Sequence, residues 1–320
     1  MIDHNSYKKY LFFAFLCISC IILLHSFVSP PIEEKFDFKL TKESLKQISG
    51  SPAFILLGFG YTFIFFIGII NVFHFSIIKF ARKPLLDIRE AKQKFPLDAT
   101  NASKLLFFIT LYVLAVDLIT IFLIRPPLTL SPLNLSVSLN FAVEIGIIII
   151  IFMFIPKQSL GININTVHFP SLLKIYTALL PLTILALLLN TFILEKLGIH
   201  PTLNPAIGLF FLLKHKFFIF ILMVEIVIFA PIAEELFFRA FIYKFMKKRF
   251  SFFLSTLFTS FIFAIVHRAT IHILPLLILS FALCYLYEKT QIILTPIFLH
   301  AIHNFLNLSF LVVIKNTLPL

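Results

Sequence analysis

Long apolar blocks decide what this chain can be. About 20 consecutive apolar residues cross the hydrocarbon core of a bilayer as a helix. Laid along the 320 residues, that ruler gives nine candidates: roughly 10–28, 52–76, 103–124, 134–155, 172–194, 216–238, 250–268, 271–288 and 291–314. Charged residues make up 13% of the chain, about half the share carried by a soluble domain. Backbone N–H and C=O groups in hydrocarbon must bond within their own segment, which selects helices. The ten-residue alternation of a membrane barrel is absent; the runs are continuous. The expected fold class is therefore all-α, a polytopic transmembrane helix bundle of about nine spans (eight to nine).

The first block follows Lys8 and Lys9 and ends near Ser29-Pro30-Pro31, without a small-x-small cleavage site. It reads as a retained anchor in preference to a cleaved signal peptide. The net charge of +12 gathers at the ends of apolar blocks, as the positive-inside rule expects. Lys79, Arg82, Lys83, Arg89, Lys92, Lys94 and Lys104 fall in one loop, and Lys244, Lys247, Lys248 and Arg249 in another. With nine alternating spans both loops share a side, which places the N-terminus in the cytoplasm. The expected setting is a multi-pass protein of a bacterial inner (plasma) membrane. No basic face or motif suggests nucleic acid. Cys17, Cys20 and Cys284 lie inside apolar blocks and suggest no disulfide framework.

The chain changes character near residue 200. Residues 1–200 hold about five ordinary spans with no functional signature. The segment 196–216, with Pro201 and Pro205, reads as a connection. Residues 201–320 hold about four spans with ionisable residues inside them. A charge at the bilayer centre costs about 3 kcal/mol on insertion scales, so such residues point to function by default.

Three places stand out. Glu235 and Arg239 are four apart on one helix face, in the favourable acid-before-base order. Glu234 projects elsewhere and has no local partner. Pro231 precedes both acids and interrupts the helix ladder. His267 ends the seventh block, and His300, His303 and Asn304 lie on the ninth. Counting from the basic turn at Lys248–Arg249 puts Glu234 and His267 about 21 and 27 Å along their helices; His300 lies about 17 Å beyond Lys289. Three antiparallel helices can thus gather Glu234, His267, His300 and Asn304 around one cavity. Singly, each residue also has a plain structural reading: an interfacial acid, a helix-end imidazole, an interhelical hydrogen bond. Asp117, Glu144 and Glu225 read as packed or neutralised contacts, and His272 as an interfacial residue at a turn.

Glu234-Glu235-Leu-Phe-Phe-Arg239 fits an EExxxR motif, Phe263 to His267 an FxxxH, and His300 to Asn304 an HxxxN. In that order, on separate spans, these motifs resemble the CPBP (CAAX protease and bacteriocin-processing, or Abi) family. The stretch from Tyr285 to Thr290 with Pro296 also looks like it. The chain departs from the pattern at Ala240, where glycine is common, and at Ser280, Ala282 and Cys284 in the penultimate helix.

The resemblance implies an intramembrane endopeptidase, annotated in the family as a metalloprotease, with Glu234, His267, His300 and Asn304 as catalytic residues and Glu235 and Arg239 in support. Two mechanisms are open. In one, Glu234 and His267 activate water while His300 and Asn304 stabilise the oxyanion. In the other, zinc bound by Glu234, His267 and His300 does so. The implied partners are the lipid bilayer and a peptide or protein substrate, with lipid modification an open alternative. Two further functions compete: a non-catalytic immunity or regulatory scaffold of the same family, and a proton-coupled transporter, against which the lack of an internal repeat counts.

Overall fold

A computed structural model describes residues 42–80, 96–123, 131–162, 167 and 169–318. The expected first span and most of the basic 77–104 loop lie outside the described residues. What is described is helical throughout: α1 (Lys42–Ser49), α2 (Pro52–Phe80), α3 (Ala99–Leu123), α4 (Pro132–Phe154), α5 (Phe169–Lys196), α6 (Pro205–Leu212), α7 (Lys216–Lys247), α8 (Phe252–Val266), α9 (Ile273–Thr290) and α10 (Leu294–Thr317).

Seven of these helices are long and apolar enough to cross a membrane. The α2 helix shows how they meet lipid. Leu56, Phe59, Phe63, Phe66, Ile70, Phe73 and Ile77 recur every three or four residues and stand exposed among the described residues, a continuous apolar stripe. The opposite face packs on α5. Gly68 makes that approach possible, since a Cβ there would fall 2.2 Å from the Thr177 carbonyl oxygen. Asn71 then donates to Thr177 Oγ1 at 2.7 Å, an interhelical bond of the kind small-residue contacts permit in membranes.

Two expectations need correction. The segment 196–216 is not a plain connection, because it contains α6. Asn204 caps that helix by accepting from the Ala206 N–H at 2.9 Å, and Pro205 occupies the first turn, where its missing N–H costs nothing. The seventh block forms a helix of only 15 residues, about 22 Å long and shorter than the bilayer core. It stops at His267, whose successor Arg268 turns left-handed with φ +53°.

The buried core crosses residue 200. One cluster joins Leu105 and Ile109 of α3 and Ile151 of α4 to Leu236, Ala240 and Tyr243 of α7 and Cys284 and Tyr287 of α9. A second joins Leu172, Tyr176 and Leu179 of α5 to Leu279 and Leu283 of α9 and Leu299 of α10. The helices carrying the ionisable residues are thus wedged between the earlier ones.

Candidate active site

The α7 helix is not regular. Its hydrogen bonding widens to the π pattern over Glu225–Phe229, returns to α over Ala230–Glu235, and widens again over Leu236–Tyr243. Pro231 sits where the first wide turn closes, which relieves the clash of its ring with the preceding turn. Such bulges are frequent at functional sites. Here they flank Glu234 and Glu235.

Glu235 and Arg239 are fully buried and joined, with Arg239 Nη1 donating to Glu235 Oε1 at 2.9 Å. A second guanidinium nitrogen, Nη2, donates to Ser280 Oγ at 2.8 Å and approaches the Ser280 carbonyl at 3.3 Å. The guanidinium also lies over the Phe263 ring, 4.7 Å from its centroid. Ser280 is a polar partner that the sequence reading treated only as a small residue. Nothing in its spacing from Arg239 announces the contact.

His300 Nδ1 lies 2.9 Å from Glu235 Oε1. A carboxylate paired with Arg accepts only, so Nδ1 is the donor in this bond, and Nε2 is left free of it. His267 Nδ1 lies 2.6 Å from the Phe263 carbonyl, and the same logic frees its Nε2. Both free nitrogens face Glu234: His267 Nε2 stands 3.7 Å and His300 Nε2 3.9 Å from Glu234 Oε2. That oxygen is buried and has no hydrogen-bond partner among the described residues. Phe263, fully buried, forms the shared wall, 4.5 Å from the His267 ring and 5.8 Å from that of His300.

The geometry therefore brings Glu234, His267 and His300 together from α7, the end of α8 and α10. Asn304 is placed differently. Its Nδ2 donates to the Ile226 carbonyl at 2.8 Å, tying α10 to the first π turn of α7. His303 faces away toward Tyr176 and Asn307.

Of the acids read as plain contacts, Glu225 opens that π turn and is buried. His272 closes a short 3₁₀ turn, Thr270–His272, just beyond the site. As for a metal, two imidazole nitrogens and a carboxylate are the ligand types of catalytic zinc. Yet among the described residues no group of three His, Cys, Asp or Glu side chains is arranged to hold an ion.

Residues 216–306 match the family model described as type II CAAX prenyl endopeptidase Rce1-like. This stretch is Rce1-like. It takes in α7 to α10 as far as the HxxxN motif, so the CPBP resemblance read from the motifs is borne out there. A 75-residue stretch is also 37% identical to a Bacillus subtilis (strain 168) protein named "Putative membrane peptidase YdiL". That stretch is 23% of this chain and 31% of the relative, so the match spans under a third of the relative's length. No solved structure matches the chain. The matched region thus covers the helices that carry Glu234, His267 and His300, and α1 to α6 lie outside it.

Proposed function

We propose that the chain is an intramembrane endopeptidase of the CAAX-protease type, hydrolysing peptide bonds of membrane-associated substrates at the hollow formed by Glu234, His267 and His300. One observation carries the reading. Three lone-pair-bearing atoms, Glu234 Oε2 and the two imidazole Nε2 atoms, face one another at separations too long for direct hydrogen bonds. Such a set repels itself unless a proton-bearing group lies among its members. A water molecule among them can donate to two of the three at once and is held where its proton can be taken.

The chemistry follows. Glu234, assisted by His267, takes a proton from the water as its oxygen adds to the substrate carbonyl carbon. The second N–H of the Asn304 amide, beyond the one given to Ile226, is the donor available to the oxyanion. Collapse of the tetrahedral intermediate breaks the C–N bond, and the proton returns from Glu234 to the departing amine. Glu235 and Arg239 hold His300 in its tautomer and touch no substrate. Because the three side chains do not close into a metal cage, no step is routed through zinc.

The family description and the membrane setting support a peptide substrate close to the bilayer. A prenylated cysteine is the chemistry that description names, and it belongs to the test. The full-length chain in lipid nanodiscs is offered a panel of internally quenched peptides, with and without a prenyl-cysteine near the scissile bond. Cleavage is expected to fall by about 10²-fold or more in Glu234→Gln, with unchanged thermal unfolding. Equal cleavage by Glu234→Gln would overturn the proposal.

A further inference from the structure

We infer that Asn190 and Thr202, both outside the Rce1-like stretch, are positioning residues that hold His267 against Glu234. This inference rests on the proposed active site and assigns it a support from the N-terminal part of the chain. It begins with an anomaly: α8 ends early, at His267, and the backbone that follows runs irregularly through Arg268 and Ala269 into the short turn Thr270–His272. Backbone groups outside a helix ladder need other partners. Arg268 adds a left-handed conformation, which a non-glycine residue keeps only where its surroundings over-determine it.

The surroundings do so from two sides. Thr202 and Thr270 form a reciprocal clasp: the Thr202 N–H donates to Thr270 Oγ1 at 2.8 Å, and the Thr270 N–H donates to Thr202 Oγ1 at 3.0 Å. Thr202 Oγ1 also reaches the Arg268 carbonyl at 3.3 Å, one residue past His267. From α5, the buried Asn190 donates to the carbonyls of Thr270 and Ile271 at 2.8 and 3.0 Å, and its Oδ1 accepts from the Leu274 N–H at 3.4 Å. Ala269, between the two attachments, is itself buried.

On its other side His267 is held by its own helix, through the Phe263 carbonyl and ring. The imidazole is therefore suspended between α8 and a loop whose position two remote side chains set. Satisfying backbone groups would alone account for the bonds. What it would not account for is a dependence of the chemical step on them.

The test uses the full-length chain in nanodiscs and the panel peptide that the wild type cleaves. Thr202→Val removes the acceptor of the Thr270 N–H and the donor to Arg268, leaving the bulk. Thr202→Ser restores both groups, and Asn190→Ala tests the second attachment independently. Thr202→Val and Asn190→Ala are expected to lower kcat about tenfold or more, since an ångström of misplacement can cost 10²-fold, while KM stays within about twofold, as for a change felt mainly in the transition state. Thr202→Ser should recover most of the loss.

A second readout is independent of cleavage: the rate at which diethyl pyrocarbonate modifies His267, followed by mass spectrometry. That rate should rise severalfold in Thr202→Val and Asn190→Ala and stay at the wild-type value in Thr202→Ser. Wild-type kcat and wild-type modification rates in both variants, or failure of serine to rescue, would overturn the inference while Glu234→Gln remains inactive. If Glu234→Gln cleaves normally, the peptidase reading falls instead, and the His267 modification rates alone judge the clasp.

Discussion

His300 Nδ1 and Arg239 Nη1 meet on one oxygen, Glu235 Oε1, each at 2.9 Å. Through that atom a wholly buried ion pair fixes the tautomer of an imidazole whose other nitrogen faces Glu234. The pair is thus tied to the proposed chemistry without touching it, in the manner of outer groups that orient a functional histidine.

Stability and activity should separate at this pair. Glu235→Gln leaves the Arg239 guanidinium buried without a counter-charge and is expected to cost about 3–5 kcal/mol. Replacing both partners by apolar residues of similar volume, Glu235→Met with Arg239→Leu, should return most of that loss, because buried pairs are often no better than good packing. The double variant should nevertheless stay inactive, since His300 loses its orienting acceptor. Thermal unfolding and peptide cleavage on the same nanodisc samples check both halves. Arg239→Lys should not substitute, as an ammonium cannot span Glu235 and Ser280 at once while lying flat over Phe263.

Asn304 offers a separate check on the π turn of α7. Its donation to the Ile226 carbonyl is the bond that ties α10 to this widened backbone. Asn304→Asp keeps the shape and replaces the donor by a second acceptor, so the carbonyl is left unpaired at a cost of about 1–3 kcal/mol, plus charge repulsion. Hydrogen exchange of the amides at 226–230 should accelerate in Asn304→Asp, and less in Asn304→Ala. Unchanged exchange in both would show that the turn stands without this bond.

The sequence disclosed whatever depends on period, length and charge. Apolar runs located α2 to α5, α7, α9 and α10, the four-residue spacing located the Glu235–Arg239 pair, and counting from turns brought Glu234 and His267 to one height. What it concealed depends on contacts between distant segments. The early end of α8 follows from a loop held by Thr202 and Asn190, more than 60 residues upstream of Thr270, and no local pattern encodes that. The π turns around Glu234 have no local signal in the sequence, and the first of them meets α10 through the Ile226 carbonyl and Asn304. Ser280 looked like a small packing residue because serine is one, until the guanidinium placed against it gave its hydroxyl a role. The helix Pro205–Leu212 was hidden by its prolines, which read as breaks although one opens a helix.

The α2–α5 contact predicts a steric effect far from the hollow. Gly68→Ala puts a methyl 2.2 Å from the Thr177 carbonyl oxygen and close to the Pro181 ring, and backbone is the part that cannot step aside. Separation of the helices would lengthen the bond from Asn71 to Thr177. A loss of about 1–3 kcal/mol is expected for such overpacking, measured as a lower unfolding temperature. Asn71→Leu on its own should cost less, about 0.6 kcal/mol, as single interhelical hydrogen bonds in membranes do.

Metal content gives the sharpest division between the two chemistries the donor set allows. Zinc would take His267 Nε2, His300 Nε2 and a Glu234 oxygen as ligands of the right type, but among the described residues these side chains are not arranged as a cage. The expectation is therefore that purified protein carries well under one zinc per chain, that chelation leaves peptide cleavage intact, and that His267→Ala with His300→Ala abolishes cleavage without altering metal content. One firmly bound zinc per chain, lost in that double variant together with activity, would mean that the three groups draw in around an ion. Glu234 would then be a ligand, and the proton would leave water already bound to metal.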